Sequence, residues 1–338
     1  MPKSDKRPSS IQVATRARMA PERIAGVVVL VGVGLFLLTA PAYLNLYWMR
    51  VLSGIFMFAA LAQALNIIAG YTGRPAFGNV VFFGIGAYTT GVLMVRAGLP
   101  FAVGVVAGGL LCAAIALLVG PPMLRLRGHY FAIGTLGLNE ATRAIVDNLT
   151  DVTGGGQGLS LPLPPGSVLS NTIRFYFLFF AALVIATLAT FLWLRSRYGF
   201  AGRAIRANEE AAGSMGVNTT RVKTLTWALS ALLTGVIGAI YAYWISYVEP
   251  SAVFDMNTAV KIFVILLLGG AGTLFGPLLG AFFIEIVGTY TWSNFLDYHT
   301  LVLGGIIVVV AIWLPGGIVS FVRERIGWVR TTLGLEGG

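Results

Sequence analysis

The sequence predicts an all-α integral membrane protein: a polytopic helix bundle of about ten membrane segments, two of them Gly-interrupted or broken, with both termini cytoplasmic. Three observations predict it. Of 338 residues, 57% are hydrophobic and only 11% charged, whereas soluble domains carry roughly 25% charged residues. The apolar residues fall in runs close to the roughly 20 that a membrane helix needs. The basic residues cluster beside alternate ends of those runs, as the positive-inside rule requires.

The N-terminal stretch 1–23 is a basic tail. Residues Ile24–Ala40 form an apolar run of 17 residues, longer than the ~7–15 of a signal-peptide core, and are read as a retained first span. The predicted spans are 24–42, 49–69, 77–97, 101–123, 129–147, 173–195, 223–247, 257–270, 276–296 and 300–316. Residues 24–318 form one membrane domain, and 319–338 are a second cytoplasmic tail. With the N-terminus inside, the acidic residues Asp151, Glu249, Asp255 and Asp297 fall on the opposite side.

Eighteen of the 23 Lys and Arg lie in the N-terminal tail, at Arg74, at Arg125 and Arg127, between Arg195 and Lys223, and at Arg323, Arg325 and Arg330. This placement accounts for the net charge of +10 by topology, and no aromatic-interleaved basic patch speaks for nucleic acid. The lone Cys112 sits in an apolar run and reads as a small core residue.

The two irregular segments are 77–97 and 257–270. Gly70, Gly73 and Pro75 precede the first, which itself contains Gly84 and Gly86. The second spans about 21 Å of helix, short of the ~30 Å hydrocarbon core. It runs into Gly269, Gly270, Gly272, Gly276, Pro277 and Gly280. Short, Gly/Pro-interrupted segments in the two halves point to broken helices at a transport path. Gly272, Gly276 and Gly280 also repeat every four residues as packing interfaces do, so both readings stand.

Two connections are long. Segment 148–172 is external and rich in Gly, Pro and Ser. Segment 196–222 is internal, and its proline-free, Ala-rich stretch from Gly202 to Met215 followed by Gly216 predicts a short helix with a glycine stop.

Here a resemblance becomes specific. Glu210-Ala211-Ala212, three residues and then Gly216 resembles the EAA-type loop of ATP-binding-cassette importers. Further stretches resemble LivM-type permeases for branched-chain amino acids and their urea and amide relatives. These are Gly70–Gly73 through Phe82–Tyr88, then Leu126–Ile133 (LRGHYFAI), then Thr135-Leu136 with Glu140, Arg143 and Thr153–Leu159. Leu268–Leu274 with Gly276-Pro277, and Leu314–Gly317, complete the series. The matches run in order from about residue 60 to 320. The chain departs from the pattern at Arg74–Asn79, where many relatives have a Gln-x-Ser-x-Gly-His run.

The resemblance implies a multi-pass permease in the bacterial inner membrane that carries a small polar solute inward. Branched-chain or related amino acids are the first expectation, urea or short amides an alternative, and an ion-driven secondary transporter a more distant one. It implies two cytoplasmic ATPase subunits, a second homologous permease, an extracytoplasmic solute-binding protein and surrounding lipid as partners. It also implies an ATPase-coupling segment formed by Arg203, Arg206, Glu209, Glu210, Ala211, Ala212 and Gly216. Glu210 is its expected ionic anchor. ATP and Mg are expected on the partner ATPase, with no cofactor in this chain.

The chemistry of the residues agrees with a non-enzymatic role. A phosphate-binding loop needs Gly-Lys-Ser/Thr, and none of Lys3, Lys6, Lys223 and Lys261 follows a glycine. His129 and His299 are far apart, no metal-ligand spacing is present, and no nucleophile has a base at a recognisable spacing. Ionisable residues inside spans are rare and point to function. Asn66, Asn79, Asn139, Glu140, Arg143 and Glu285 are the candidates for a translocation path. Glu140 and Arg143 are spaced to pair on one helix face, and Lys261 is placed either to pair with Glu285 or to snorkel outward. The asparagines suit interhelical bonding as well as a path.

Overall fold

In a computed structural model, residues 32, 34, 36–126, 128–294, 304, 305 and 317–319 are described. The first and last predicted spans and both tails lie almost wholly outside them. Ten helices of six or more residues carry the fold. They are α1 (Leu46–Leu65), α2 (Val80–Arg96), α3 (Phe101–Met123), α4 (His129–Asn148), α5 (Val168–Arg195), α6 (Arg197–Ala207), α7 (Glu209–Ser214), α8 (Thr219–Ile245), α9 (Met256–Gly269) and α10 (Gly276–Asn294). A two-residue antiparallel ladder pairs β1 (Leu159–Ser160) with β2 (Tyr247–Val248).

Among the described residues, six helical segments are long and apolar enough to cross a membrane: Leu46–Gly70, Phe77–Arg96, Phe101–Met123, Val168–Arg195, Thr219–Ile245 and Pro250–Gly269. Of the ten expected spans, 24–42 and 300–316 lie mostly outside the described residues, and 129–147 and 276–296 fall short for reasons visible in the sequence. Helix α4 carries Glu140, Arg143 and Asp147, and the apolar part of α10 stops at Thr291.

Local chemistry sets the boundaries. Asn45 accepts from the Trp48 amide to start α1, Ser167 from Ser170 to start α5, and Asn218 from Arg221 to start α8. Asp255 accepts from the amides of Asn257 and Thr258 and starts α9. Hydroxyls inside spans satisfy themselves on the preceding turn, as Ser53 does on Met49 and Thr226 on Val222.

Helices α1, α2 and α8 form the centre, their apolar windows 78%, 72% and 67% buried, while α3 and α5 are only 28% buried and form the rim. Helix α8 packs along both α2 and α3. Lipid tails are as apolar as leucine, so close packing rather than hydrophobic exclusion must hold such helices together. The seam shows how. A β-carbon on Gly86 would lie 2.1 Å from the Gly235 carbonyl, and one on Gly238 would lie 2.1 Å from the Phe83 carbonyl. Gly108 faces the Gly86 carbonyl in turn, and Trp227 stands edge-on to Phe82 and Phe131. Gly84 leaves room for the Phe254 ring.

Gly86→Ala should force α2 from α8 and destabilise the protein by about 1–3 kcal/mol, as overpacked cores do. Gly288→Ala, with open space around it, should cost under about 0.5 kcal/mol. Thermal unfolding of the purified variants in detergent, followed by size-exclusion, checks both.

Candidate functional site

The predicted coupling segment is two helices rather than one. Asn208 takes an extended backbone after α6, and its side chain accepts from the Ala211 amide to begin α7. An asparagine that caps a new helix interrupts the old one. Gly216, at φ +88°, ends α7, and the Val217 amide bonds back to the Ala212 carbonyl. This is the left-handed glycine exit that closes a helix C-terminus. Ala212 packs with Ile205 and Val222, joining α6, α7 and α8. Arg203, Glu210, Ala211 and the 86% exposed Met215 lie on the outer side, with Arg203 stacked over the Phe200 ring.

The inner side is held by charge. Glu209 forms ion pairs with Arg74 and, at 2.5 Å, with Lys223, which is 3% exposed. Arg74 also donates to the Leu126 carbonyl at 3.2 Å, and Lys223 to the Leu124 carbonyl at 3.3 Å. One carboxylate thus ties α7 to α8, to the turn after α1 and to the α3–α4 turn. Partial burial raises the Glu209 pKa, but the hydrogen bonds and positive charges of Lys223 and Arg74 outweigh it and leave the group below its ordinary value. Sequence reading named Glu210 as the ionic anchor of the coupling helix and did not single out Glu209 for this internal latch. The available signal was spacing: Glu209 stands three residues before the buried Ala212, hence on the inward face.

Both glycine breaks meet beneath α6. The last turn of α1 widens into a π-turn at Asn66–Gly70, and Gly73 follows at φ +69°. Asn66 accepts from the Gly272 amide at 2.8 Å and donates to the Thr273 carbonyl at 2.7 Å. Arg206 of α6 donates to the Gly70 carbonyl and lies against Gly73 and Gly272. Gly270 (φ +115°) and Gly272 (φ +85°) make the α9–α10 turn, and Pro277 sits in the first turn of α10, where its missing N–H costs nothing. Gly269 and Gly280 face backbone carbonyls of Gly276 and Ile265 across the hairpin, and Gly276 faces the Thr273 hydroxyl.

The remaining polar candidates separate into kinds. Asn79 is consumed in a buried network: it donates to Thr234 (3.0 Å) and Ser230 (3.3 Å) and accepts from the Trp227 indole (3.2 Å). Asn139 donates to the Phe254 carbonyl at 2.8 Å, while its own oxygen is buried with no donor among the described residues. Glu140 and Arg143 are 3.9 Å apart, and Arg143 is equally far from Asp147. Lys261 of α9 sits 2.6 Å from Glu285 of α10 and 3.9 Å above the Phe58 ring, so both charges are met within the hairpin. An ionised side chain at mid-span costs about 2.5–3.5 kcal/mol on insertion scales, which such pairing offsets. At the bundle centre a cavity of about 10 Å³ lies among Leu61, Leu65, Asn79, Thr234, Ala259 and Ile262. It has room for one water at most.

Glu209→Gln leaves Arg74 and Lys223 facing each other without an anion. The expected loss at pH 7 is about 1–3 kcal/mol, below the 3–5 of a fully buried pair because Glu209 is partly exposed. Because the folded pKa is depressed, this stabilisation is present above the unfolded value of about 4.3 and is lost as pH falls through the folded one. Melting curves of both proteins should therefore converge in acid.

The sequence model of the branched-chain amino acid transport system permease component matches residues 45–311. Over 296 residues the chain is 32% identical to the high-affinity branched-chain amino acid transport system permease protein LivM of Salmonella typhimurium, covering 80% of this chain and 69% of the relative. It is 33% identical to LivM of Escherichia coli with the same coverage. It is also 24% identical over 289 residues to LivH of Escherichia coli, another permease protein of a high-affinity branched-chain amino acid transport system, covering 78% of this chain and 91% of that one. No solved structure matches the chain. Glycine-broken helices, a capped helix pair latched to the bundle, and a family match across most of its length make this chain a member of the branched-chain amino acid transport permease family.

Proposed function

We propose that this chain is the membrane-spanning permease subunit of an ATP-driven importer for branched-chain amino acids in the bacterial inner membrane. A soluble binding protein delivers the solute to the outer face. Two cytoplasmic ATPase subunits bind ATP and Mg and pull on α6–α7 through the outer side of Arg203, Glu210, Ala211 and Met215. With one such helix pair per chain, a second homologous permease engages the other ATPase. The LivM and LivH relatives, two different permease proteins of a like-named system, support a non-identical partner. Both termini then lie in the cytoplasm.

The observation that carries this reading is the continuous contact from α6–α7 to both glycine breaks, through Arg206 on the Gly70 carbonyl and Asn66 on Gly272 and Thr273. Coupling needs an element that moves with the ATPase and touches the parts that open. A pair of helices bonded to both glycine turns meets both conditions.

In proteoliposomes holding the assembled complex, uptake of leucine should require ATP and the binding protein. Uptake by this chain alone on an ion gradient would overturn the reading. Arg206→Ala or Asn66→Ala should raise the ATP hydrolysed per leucine moved by about tenfold, the worth of one charge-assisted hydrogen bond for Arg206 and of two neutral ones for Asn66. Parallel uptake and phosphate-release assays read that ratio.

A further inference from the structure

Helix α4 carries three charges, Glu140 and Arg143 near its middle and Asp147 at its end. Its ends fix its depth. The Leu124 and Leu126 carbonyls, just before α4, are bound by Lys223 at the start of α8 and by Arg74. Leu159, eleven residues beyond α4, pairs with Val248 beyond the end of α8. The segments flanking α4 thus reach opposite ends of α8, itself long and apolar enough to span, and α4, about 30 Å long against about 40 Å for α8, lies between those ends. Glu140 then lies about 16 Å along a helix of about 30 Å, at its middle.

These charges are turned outward. Phe131, Thr135, Asn139 and Val146 face the bundle, whereas the Glu140 and Arg143 side chains are 52% and 37% exposed. Charged residues at that depth face water or protein rather than lipid. Arg143 lies 3.9 Å from both Glu140 and Asp147, beyond hydrogen-bond distance, so its guanidinium keeps donors for a further acceptor. Glu140 accepts only a long 3.5 Å bond from the Asn139 amide, whose own buried oxygen has no donor among the described residues. Gly137, Ala141 and Ala144 leave shallow space beside the charges, and Ile133 and Ile145 offer exposed apolar surface on either side.

Resting on the importer reading above, the geometry points to the exposed face of α4 as the wall of the water-filled path, where Arg143 holds the α-carboxylate and Glu140 the α-ammonium of a zwitterionic amino acid. The aliphatic side chain lies against Ile133 or Ile145. Bidentate guanidinium–carboxylate contact fixes orientation, and a second, opposite charge distinguishes the zwitterion from a simple acid or amine.

The test uses the assembled complex in vesicles, with Cys112→Ser as background and Ala144→Cys as reporter. A charged, membrane-impermeant methanethiosulfonate reagent should modify the new thiol, and leucine should protect it. Leucinol, which lacks the carboxylate, and isocaproate, which lacks the ammonium, should protect poorly. Arg143→Gln should raise the leucine concentration giving half-protection by about tenfold or more and bring leucine down to the level of leucinol. Glu140→Gln should do the same relative to isocaproate. Absence of modification, or modification that leucine does not slow, overturns the proposal, as does equal protection by all three compounds. Ala141→Cys serves where Ala144→Cys fails to assemble. Leucine uptake by the unsubstituted complex in the same vesicles reports on the importer reading alone, so the path wall can fail while that reading stands.

Discussion

The structure depends on one carboxylate. Glu209 stands between Arg74 and Lys223, and those two cations reach on to the Leu126 and Leu124 carbonyls. Four segments distant in sequence are thereby fixed at one end of the bundle. Two cations so close and so little exposed would repel without the anion, and an isolated buried charge is among the costliest defects a fold can carry. The carboxylate therefore determines how α6–α7 sits, and that placement brings Arg206 to Gly70 and both glycine turns under one helix pair.

The rest of the bundle obeys a different rule. Where α2 crosses α8, the Gly235 and Phe83 carbonyls take the place where the β-carbons of residues 86 and 238 would stand. Such a seam is rigid because it has no rotamers to rearrange. The turns at Gly73, Gly270 and Gly272 are the opposite case, with backbone conformations that only glycine adopts readily. A stiff core joined to glycine turns, with the turns gripped by polar side chains from α1 and α6, is a structure in which motion is confined to chosen places.

Much of the fold was legible because lipid imposes a simple code. Helix α3 coincides with its predicted run at Phe101–Met123, and α1, α2, α5, α8, α9 and α10 fall within a few residues of theirs. Apolar length and flanking charge sufficed there. The site was less legible, since it rests on side-chain direction across sequence separations of over a hundred residues. Nothing in the sequence tells that Asn79 spends its amide on Ser230 and Thr234 while Asn66 spends its own on Gly272 and Thr273. Glu209 and Glu210 differ by one position, and a turn of about 100° per residue decides which faces the bundle. Asn208 looked like an ordinary polar residue until its extended backbone and its bond to Ala211 showed a helix start.

The central claim is that α6–α7 and the two glycine turns form one mechanical unit. The most direct measurement is the distance between spin labels at Ser214 and Leu274 in the assembled complex, with and without ATP. The account predicts an unchanged distance while the separation of the two permeases' coupling helices changes. A shift of about 5 Å or more, one helical turn, between Ser214 and Leu274 would contradict it.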